Sequence, residues 1–153
     1  MLELLAPAGN LDAVIAAVQN GADAVYMGFG DGFNARRSAD NFTRESFAKA
    51  VRYCHIRGCK VYVTLNTLVG DREMDAAAAL AQQASDAGAD AILVQDLGLA
   101  RVLRAALPDI PLHASTQMSI HNLAGVEAAA EMGITRAVLA RELSLEQIKF
   151  ITQ

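Results

Sequence analysis

Polar side chains of several chemical types follow the short apolar runs of this sequence, where predicted β-strands end. They are Asn66, Gln95, Asp96, His113, Ser115, Gln117, Arg141 and Glu142. If the strands are parallel and form a barrel, their carboxyl ends meet on one face, where such proteins carry their functional groups. Amides, both signs of charge and an imidazole on one rim predict a site for a polar, oxygen-rich ligand.

His113 titrates near neutral pH, and we predict that it acts as a general acid or base with Asp96 or Glu142 as its orienting carboxylate. Ser115 lies two residues further on, so both side chains point to the same face of a strand. Together with Asp96, these residues are the parts of a nucleophilic triad, but the spacing does not establish hydrogen bonds between them. A structural histidine bonded to backbone is the alternative.

The longest connection, residues 28–42, contains adjacent arginines. Long loops on the working face of a barrel usually cover a site or bind a ligand. Asn34 and Arg36 therefore join the predicted ligand-binding residues, since a guanidinium can hold a carboxylate or phosphate at two points. The alternative is a solvated loop whose arginines pair with its own aspartates.

No metal site is predicted. His55 falls in a predicted helix and His121 in the region after the fifth strand, away from other ligands. The two cysteines, Cys54 and Cys59, supply too few ligands for a tetrahedral site, and we interpret them as buried thiols.

The elements that position these groups are marked by a loose repeat, Gly-Ala-Asp-Ala, at residues 21–24 and 88–91, with related turns at Gly58 and Gly133. Glycine just beyond a helix can adopt a left-handed conformation, so each copy indicates a helix-to-strand turn. The predicted strands are residues 3–6, 24–27, 61–65, 91–94, 112–114 and 137–140. The predicted helices are residues 11–20, 44–57, 74–87, 100–107, 124–132 and 145–151. Thr43, Asp71 and the pair Ser144 and Gln147 are the predicted helix caps.

Six βα units with apolar strands indicate a parallel sheet covered on both faces. The turn at residues 6–10 has neither a dinucleotide fingerprint nor a P-loop lysine, which favours a (βα)₈ barrel over an open doubly wound sheet. A complete barrel takes about 250 residues and eight strands. We therefore expect one domain over residues 1–153 that forms a partial TIM barrel of about six of the eight units, and a homo-oligomer that pairs through its exposed sheet edges.

The overall composition is that of an ordinary α/β protein, with 53% hydrophobic residues and a net charge of −4. This charge gives no basic surface for nucleic acid across the whole chain, although a local patch stays open. No apolar run reaches the length of a membrane span, and residues 1–7 lack the basic start of a secretory signal. We expect a cytoplasmic protein.

Seven phrases closely resemble, in order, the N-terminal part of peptidase family U32, the collagenase-like proteases. They are residues 3–10 (ELLAPAGN), 21–26 (GADAVY), 33–36 (FNAR), 63–67 (VTLNT), 94–98 (VQDLG), 113–117 (HASTQ) and 139–144 (LARELS). The resemblance covers the whole chain and is nearest to the branch for hydroxylation of ribosomal RNA. It implies a TIM-barrel-like domain and transfers no catalytic residue. Other members act in hydroxylation of transfer RNA, or carry iron–sulfur clusters in anaerobic ubiquinone synthesis.

Three functions remain open. One is peptide hydrolysis at a site in the barrel mouth, as the family name implies. Another is RNA hydroxylation, in which the barrel holds a small carboxylate ligand and the cluster and RNA contacts lie outside this segment. The third is a non-catalytic scaffold. The cysteine signature of the family lies C-terminal to this region, so we expect no cofactor in the segment and little activity from it alone.

Overall fold

The computed structural model describes residues 2–35 and 41–153. Six parallel strands alternate with helices along the chain and pair in the order β1 to β6. The strands are β1 (Leu5–Pro7), β2 (Ala24–Met27), β3 (Lys60–Leu65), β4 (Ala91–Val94), β5 (Leu112–Ala114) and β6 (Ile134–Ala137). The helices are α1 (Leu11–Gln19), α2 (Arg44–His55), α3 (Met74–Asp86), α4 (Leu97–Ala106), α5 (Leu123–Glu131) and α6 (Leu145–Ile151), with a short 3₁₀ turn at Thr116–Met118. The predicted parallel repeat of six βα units is confirmed.

The two faces of the sheet differ in what they bury. The outer face and the helices enclose two apolar clusters, one around Ile92, Leu103 and Leu112 and the other around Val25 and Phe47. The inner face carries a smaller cluster of Ala24, Tyr62, Ala91 and Leu93, with Leu5 and Tyr26 against it. Inward-facing residues that alternate with outward-facing ones are the arrangement expected of a barrel wall.

Side chains at the helix N-termini set where several helices begin. Thr43 accepts the Ser46 N–H, and Ser144 and Gln147 form a reciprocal capping box, as predicted. The prediction of Asp71 as a cap was wrong. The cap position of α3 is Glu73, which makes no side-chain capping bond to the helix and instead accepts the Gly70 N–H at 3.0 Å.

The sixth strand lies earlier than predicted, at Ile134–Ala137 rather than residues 137–140. It begins immediately after Gly133, whose φ is +80°. The apolar run at residues 137–140 predicts the strand there, but the structure includes Arg136 in β6 and pairs it with His113 of β5 in the strand register. After β6 the backbone leaves the strand edge, and Ala140 donates to the Ile120 carbonyl at 2.8 Å.

The aspartates of the repeat close the amino ends of two strands. Asp23 accepts the Leu4 N–H at 2.8 Å on its carboxylate and donates its own N–H to the Leu4 carbonyl at 2.9 Å. Asp90 repeats this pairing with Val61, at 2.7 Å and 2.8 Å. The Gly-Ala-Asp-Ala repeat therefore supplies the left-handed glycine of the turn. Its aspartate also makes two hydrogen bonds to the backbone at the start of the preceding strand.

Within the ranges that the structure describes, no helix is long and apolar enough to cross a membrane.

Candidate functional site

A cavity of about 210 Å³ opens at the carboxyl ends of the strands. Four of the residues predicted to bind ligand line it: Asn66, Ser115, Gln117 and Arg141. The remaining wall is formed by Leu5, Tyr26, Ala35, Thr64, Leu93, Thr116 and Val138. The predicted convergence of polar groups on one rim is thus observed for these four residues.

Strand periodicity explains why these side chains meet. Tyr62, Thr64 and Asn66 occupy alternate positions along β3 and its end, so they face the same side. Thr64 and Ser115 are buried, and Thr64 donates to the Met27 carbonyl at 3.1 Å. Inward side chains of alternate strands share layers in a barrel, which brings Asn66 of the third unit to Ser115 of the fifth.

Asn66 has a hydrogen bond on each side of its amide. Its Oδ1 accepts the Ala35 N–H at 3.1 Å, and its Nδ2 donates to Ser115 Oγ at 3.3 Å. Ser115 Oγ also accepts the Gln117 N–H at 3.4 Å, as the cap of the 3₁₀ turn. The Ser115 hydroxyl oxygen is therefore used in holding the rim together.

A smaller cavity of about 60 Å³ adjoins the first and shares Tyr26, Thr64 and Asn66 with it. Asn34 lines this second cavity and donates from Nδ2 to Asn41 Oδ1 at 3.1 Å. Phe42 donates to the Gly28 carbonyl and accepts the Gly30 N–H, each at 3.0 Å, so these described residues at the two ends of the connection are held together. Arg36, the other ligand-binding prediction from this segment, lies outside the described residues.

His113 lies inside the barrel wall rather than on the rim. Its ring packs edge-on against Tyr62, with ring centroids 4.9 Å apart, and the residue is 6% exposed. Burial, followed by the nearby charge of Arg136, lowers the pKa of His113 to about 4. The ring is consequently neutral at pH 7. Within residues 2–35 and 41–153 the ring makes no hydrogen bond, so the alternative of a backbone-bonded histidine is not observed there.

The predicted partners of His113 are engaged elsewhere. Asp96 is the N-cap of α4, where its carboxylate accepts the Leu99 N–H at 2.8 Å and the Val69 N–H at 3.4 Å. Glu142 is exposed, and Gln95 is half-buried without lining either cavity. Across the described residues, no hydrogen bond joins Asp96 or Glu142 to His113, and none completes a triad with Ser115.

Sequence reasoning missed a polar network at the amino ends of the strands. Glu3 accepts from the Tyr62 hydroxyl at 3.0 Å and is paired with Arg136 and, at 3.7 Å, with Lys60. The Arg136 hydrogen bond lowers the pKa of Glu3, whereas burial and then the bond to Glu3 raise the pKa of Tyr62 to about 12. Glu3, Tyr62 and Arg136 lie far apart in sequence, so no local pattern indicates that they form one network.

The charge of the rim differs from that of the whole chain. Arg141 lines the larger cavity, and no carboxylate is found among the described residues around either cavity, although the chain carries a net charge of −4. A guanidinium with amide and hydroxyl donors provides hydrogen bonds and positive charge for an anion.

The chain's own cysteines do not fit a metal centre. Cys54 and Cys59 are buried in the cluster between the sheet and the helices, and burial raises the pKa of Cys54 to about 12. Metal and iron–sulfur ligation require the thiolate, which these surroundings disfavour. Over the described part of the chain, no group of three or more residues is arranged to hold a metal ion.

A curled parallel sheet with a polar cavity at the carboxyl ends of its strands is the architecture of TIM-barrel-like proteins. The solved structure of a U32 peptidase has the same fold, with a TM-score of 0.78 at 17% identity over 99% of this chain and 64% of that one. The model of peptidase family U32 matches residues 9–153. The chain belongs to this family.

Relatives in the family bear different functional names. The 23S rRNA 5-hydroxycytidine C2501 synthase of Escherichia coli (strain K12) is 43% identical over 152 residues, which are 99% of this chain and 22% of that protein. The collagenase of Porphyromonas gingivalis (strain ATCC BAA-308 / W83) is 35% identical over 150 residues, which are 97% of this chain and 35% of that protein. The chain thus spans less than half the length of either relative.

Proposed function

We propose that this chain is the barrel segment of an RNA hydroxylation protein and that its mouth binds a small carboxylate ligand. The observation that carries the ligand proposal is that Arg141 lines the same cavity as Gln117 and Thr116, and that no described carboxylate lines it. The RNA assignment is supported by the 43% identity to the ribosomal RNA hydroxycytidine synthase.

The cavity wall suits a ligand with one charged end. Arg141 is exposed at the opening and can meet a carboxylate at two points. Gln117 and Thr116 provide further hydrogen-bonding groups, and Leu93 and Val138 provide apolar wall. A volume of about 210 Å³ accommodates a small organic acid and is far too small for a nucleotide chain.

His113 is a buried, neutral residue behind the wall of this cavity and does not line it. It is paired in register with Leu93, a residue of the cavity wall. Because the ring is neutral, it can accept or donate a hydrogen bond without adding charge to the site. We retain His113 as the predicted acid or base, with Asp96 and Glu142 as predicted partners that would need to move toward it.

The rest of the parent protein would carry the other functions. Contacts to RNA and an iron–sulfur cluster are assigned to regions outside this chain, in keeping with its 22% share of the ribosomal RNA synthase. This division makes a clear genetic test possible. Deletion of the parent gene should remove a hydroxyl mark from ribosomal or transfer RNA, detected by mass spectrometry of nucleosides.

Complementation then tests the cavity. A parent gene carrying Arg141→Ala should restore clearly less of the mark than the unaltered gene, because the ligand loses a charge-assisted bond worth about 1.5–3 kcal/mol. Arg141→Lys should restore an intermediate level. The control Arg52→Ala removes an exposed arginine from α2, remote from both cavities, and should restore the full mark. An RNA profile unchanged by the deletion would overturn the RNA assignment.

Peptide hydrolysis is the second candidate, favoured by the 35% identity to the collagenase. In that case the mouth would hold a peptide, and the purified full-length protein should cleave collagen or casein. Cleavage lost in His113→Ala would place this histidine in the mechanism. Cleavage retained after His113→Ala and Ser115→Ala would remove both residues from it, and absence of both cleavage and RNA hydroxylation would leave the scaffold alternative.

A further inference from the structure

We propose that Asn66 is a positioning residue that ties Ala35, in the part of the connection after β2 that the structure describes, to Ser115 at the end of β5 and thereby builds one wall of the cavity. This positioning role deepens the proposed function. It depends on that function in one respect, that the cavity is the ligand site. The role differs from the ligand-binding role predicted from sequence, because the Asn66 amide is engaged on both sides within the protein.

The geometry of the bridge supports this role. Asn66 accepts from Ala35 at 3.1 Å and donates to Ser115 Oγ at 3.3 Å. Both partners line the same cavity as Asn66. The bridge therefore passes across the mouth above β4 and joins parts of the chain that are 31 and 49 residues from Asn66 in sequence.

The surroundings favour one arrangement of the bridge. Ser115 is 4% exposed and is fixed as the cap of the 3₁₀ turn, so it offers a rigid anchor. At the other end, Asn34 beside Ala35 is bonded to Asn41. An alanine Cβ at position 28 would lie 2.1 Å from Asn41 Oδ1 and 2.3 Å from Asn34 Nδ2, so Gly28 leaves space for this amide pair. Residues 28–35 are thus held at their base by the amide pair and at their far end by Asn66.

An aspartate at position 66 separates positioning from ligand binding. Its carboxylate can still accept the Ala35 N–H, and the Ser115 hydroxyl can turn to donate to it. The bridge is kept, but a negative charge is added to the cavity wall. An alanine at the same position removes both bonds and adds no charge.

Hydrogen exchange of the Ala35 amide in the full chain, followed by NMR, tests the bridge without any ligand. Asn66→Ala should speed this exchange by about tenfold, the factor expected for the loss of about 1.4 kcal/mol of local protection. In Asn66→Asp the exchange rate of the Ala35 amide should stay within about threefold of the parent rate. In Ser115→Ala, which removes one partner of the Asn66 amide, the rate should lie between those of Asn66→Asp and Asn66→Ala. Gln83→Ala, an exposed amide change on α3, should leave exchange unchanged.

The amide of Val63 on β3 reports whether each variant is folded. Unchanged Ala35 exchange in a folded Asn66→Ala variant would overturn the proposal. If Asn66→Ala does not fold, the other two variants decide. The proposal is then overturned by an unchanged Ala35 exchange rate in Ser115→Ala, or by a rate about tenfold faster in Asn66→Asp.

Titration with succinate adds a second measurement, the affinity for the ligand, which would not change if Asn66 had a purely structural role. Asn66→Asp should weaken succinate binding by about tenfold while Ala35 stays protected, because the added charge repels the anion. Absence of succinate binding to the parent chain would contradict the proposed ligand class and leave the exchange result standing. Failure of the exchange test alone would remove the positioning role and leave the ligand class standing.

Discussion

Glu3 and Arg136 are ion-paired at the amino end of the sheet although 133 residues separate them in sequence. Glu3 precedes β1 and Arg136 lies on β6, so the pair joins the two edge strands of the sheet. Tyr62 of β3 donates to the same carboxylate at 3.0 Å. These side-chain bonds thus link β1, β3 and β6, which do not pair with one another, and they stabilise the curvature of the sheet.

Breaking this ion pair should destabilise the chain. A double-mutant cycle with Glu3→Gln and Arg136→Met should give a coupling free energy of about 1 kcal/mol in urea unfolding. This value allows for solvent screening of Arg136, whose side chain is 39% exposed. The control cycle uses Glu45 and Lys49, which are paired on one helix with side chains 81% and 62% exposed. A coupling in the control as large as that of Glu3 and Arg136 would contradict a special role for the pair that joins the edge strands.

His113 should make the chain less stable in mild acid. Its folded-state pKa of about 4 lies below the ordinary value of 6.5. The unfolded chain therefore binds a proton first, and the stability that neutral His113 contributes is complete above pH 6.5 and is lost as the pH falls from 6.5 toward 4. The loss should be on the order of 2 kcal/mol after partial solvent screening is allowed for.

Urea unfolding at a series of pH values checks this loss. His113→Phe keeps an aromatic ring against Tyr62 and should flatten the pH dependence in this window. His121→Gln changes an exposed histidine and should keep the dependence of the parent. A parent chain equally stable at both ends of the window would refute the assignment of a buried neutral ring.

Gly28→Ala should disturb the mouth of the barrel. The new Cβ would clash with the Asn34 and Asn41 amides, at 2.3 Å and 2.1 Å. We expect a loss of about 1–3 kcal/mol in the free energy of unfolding, the usual range for overpacking. Gly9→Ala is the matched control at the same mouth, since its Cβ would meet nothing within 4 Å and its φ is not positive. Equal effects of the two changes would argue against the tight packing at Gly28.

Much of the fold could be predicted because its signals are local. β2, β4 and β5 have their predicted bounds, and so does α6, whose capping box is explicit in the sequence. β6 was misplaced because an apolar run was taken as the strand signal. A charged residue such as Arg136 can occupy a half-buried edge strand when a distant carboxylate neutralises it, and the sequence near residue 136 does not contain that partner, Glu3.

The site was predictable only where strand periodicity determines it. Asn66 and Ser115 follow apolar strands at positions that must face the interior, and both line the cavity. The assignment of Asp96 relied on its place at a strand end, but the same position begins α4, and the carboxylate caps that helix. Periodicity places a residue near the rim, whereas local backbone geometry decides which bonds its side chain makes.

Calorimetric titration of the chain with three ligands of equal length and different charge tests the central claim, that the mouth is an anion site. Succinate should bind, whereas 1,4-butanediol and 1,4-diaminobutane should not, and Arg141→Ala should weaken succinate binding by at least about tenfold. Diaminobutane binding as tight as succinate, or succinate binding unchanged in Arg141→Ala, would contradict it.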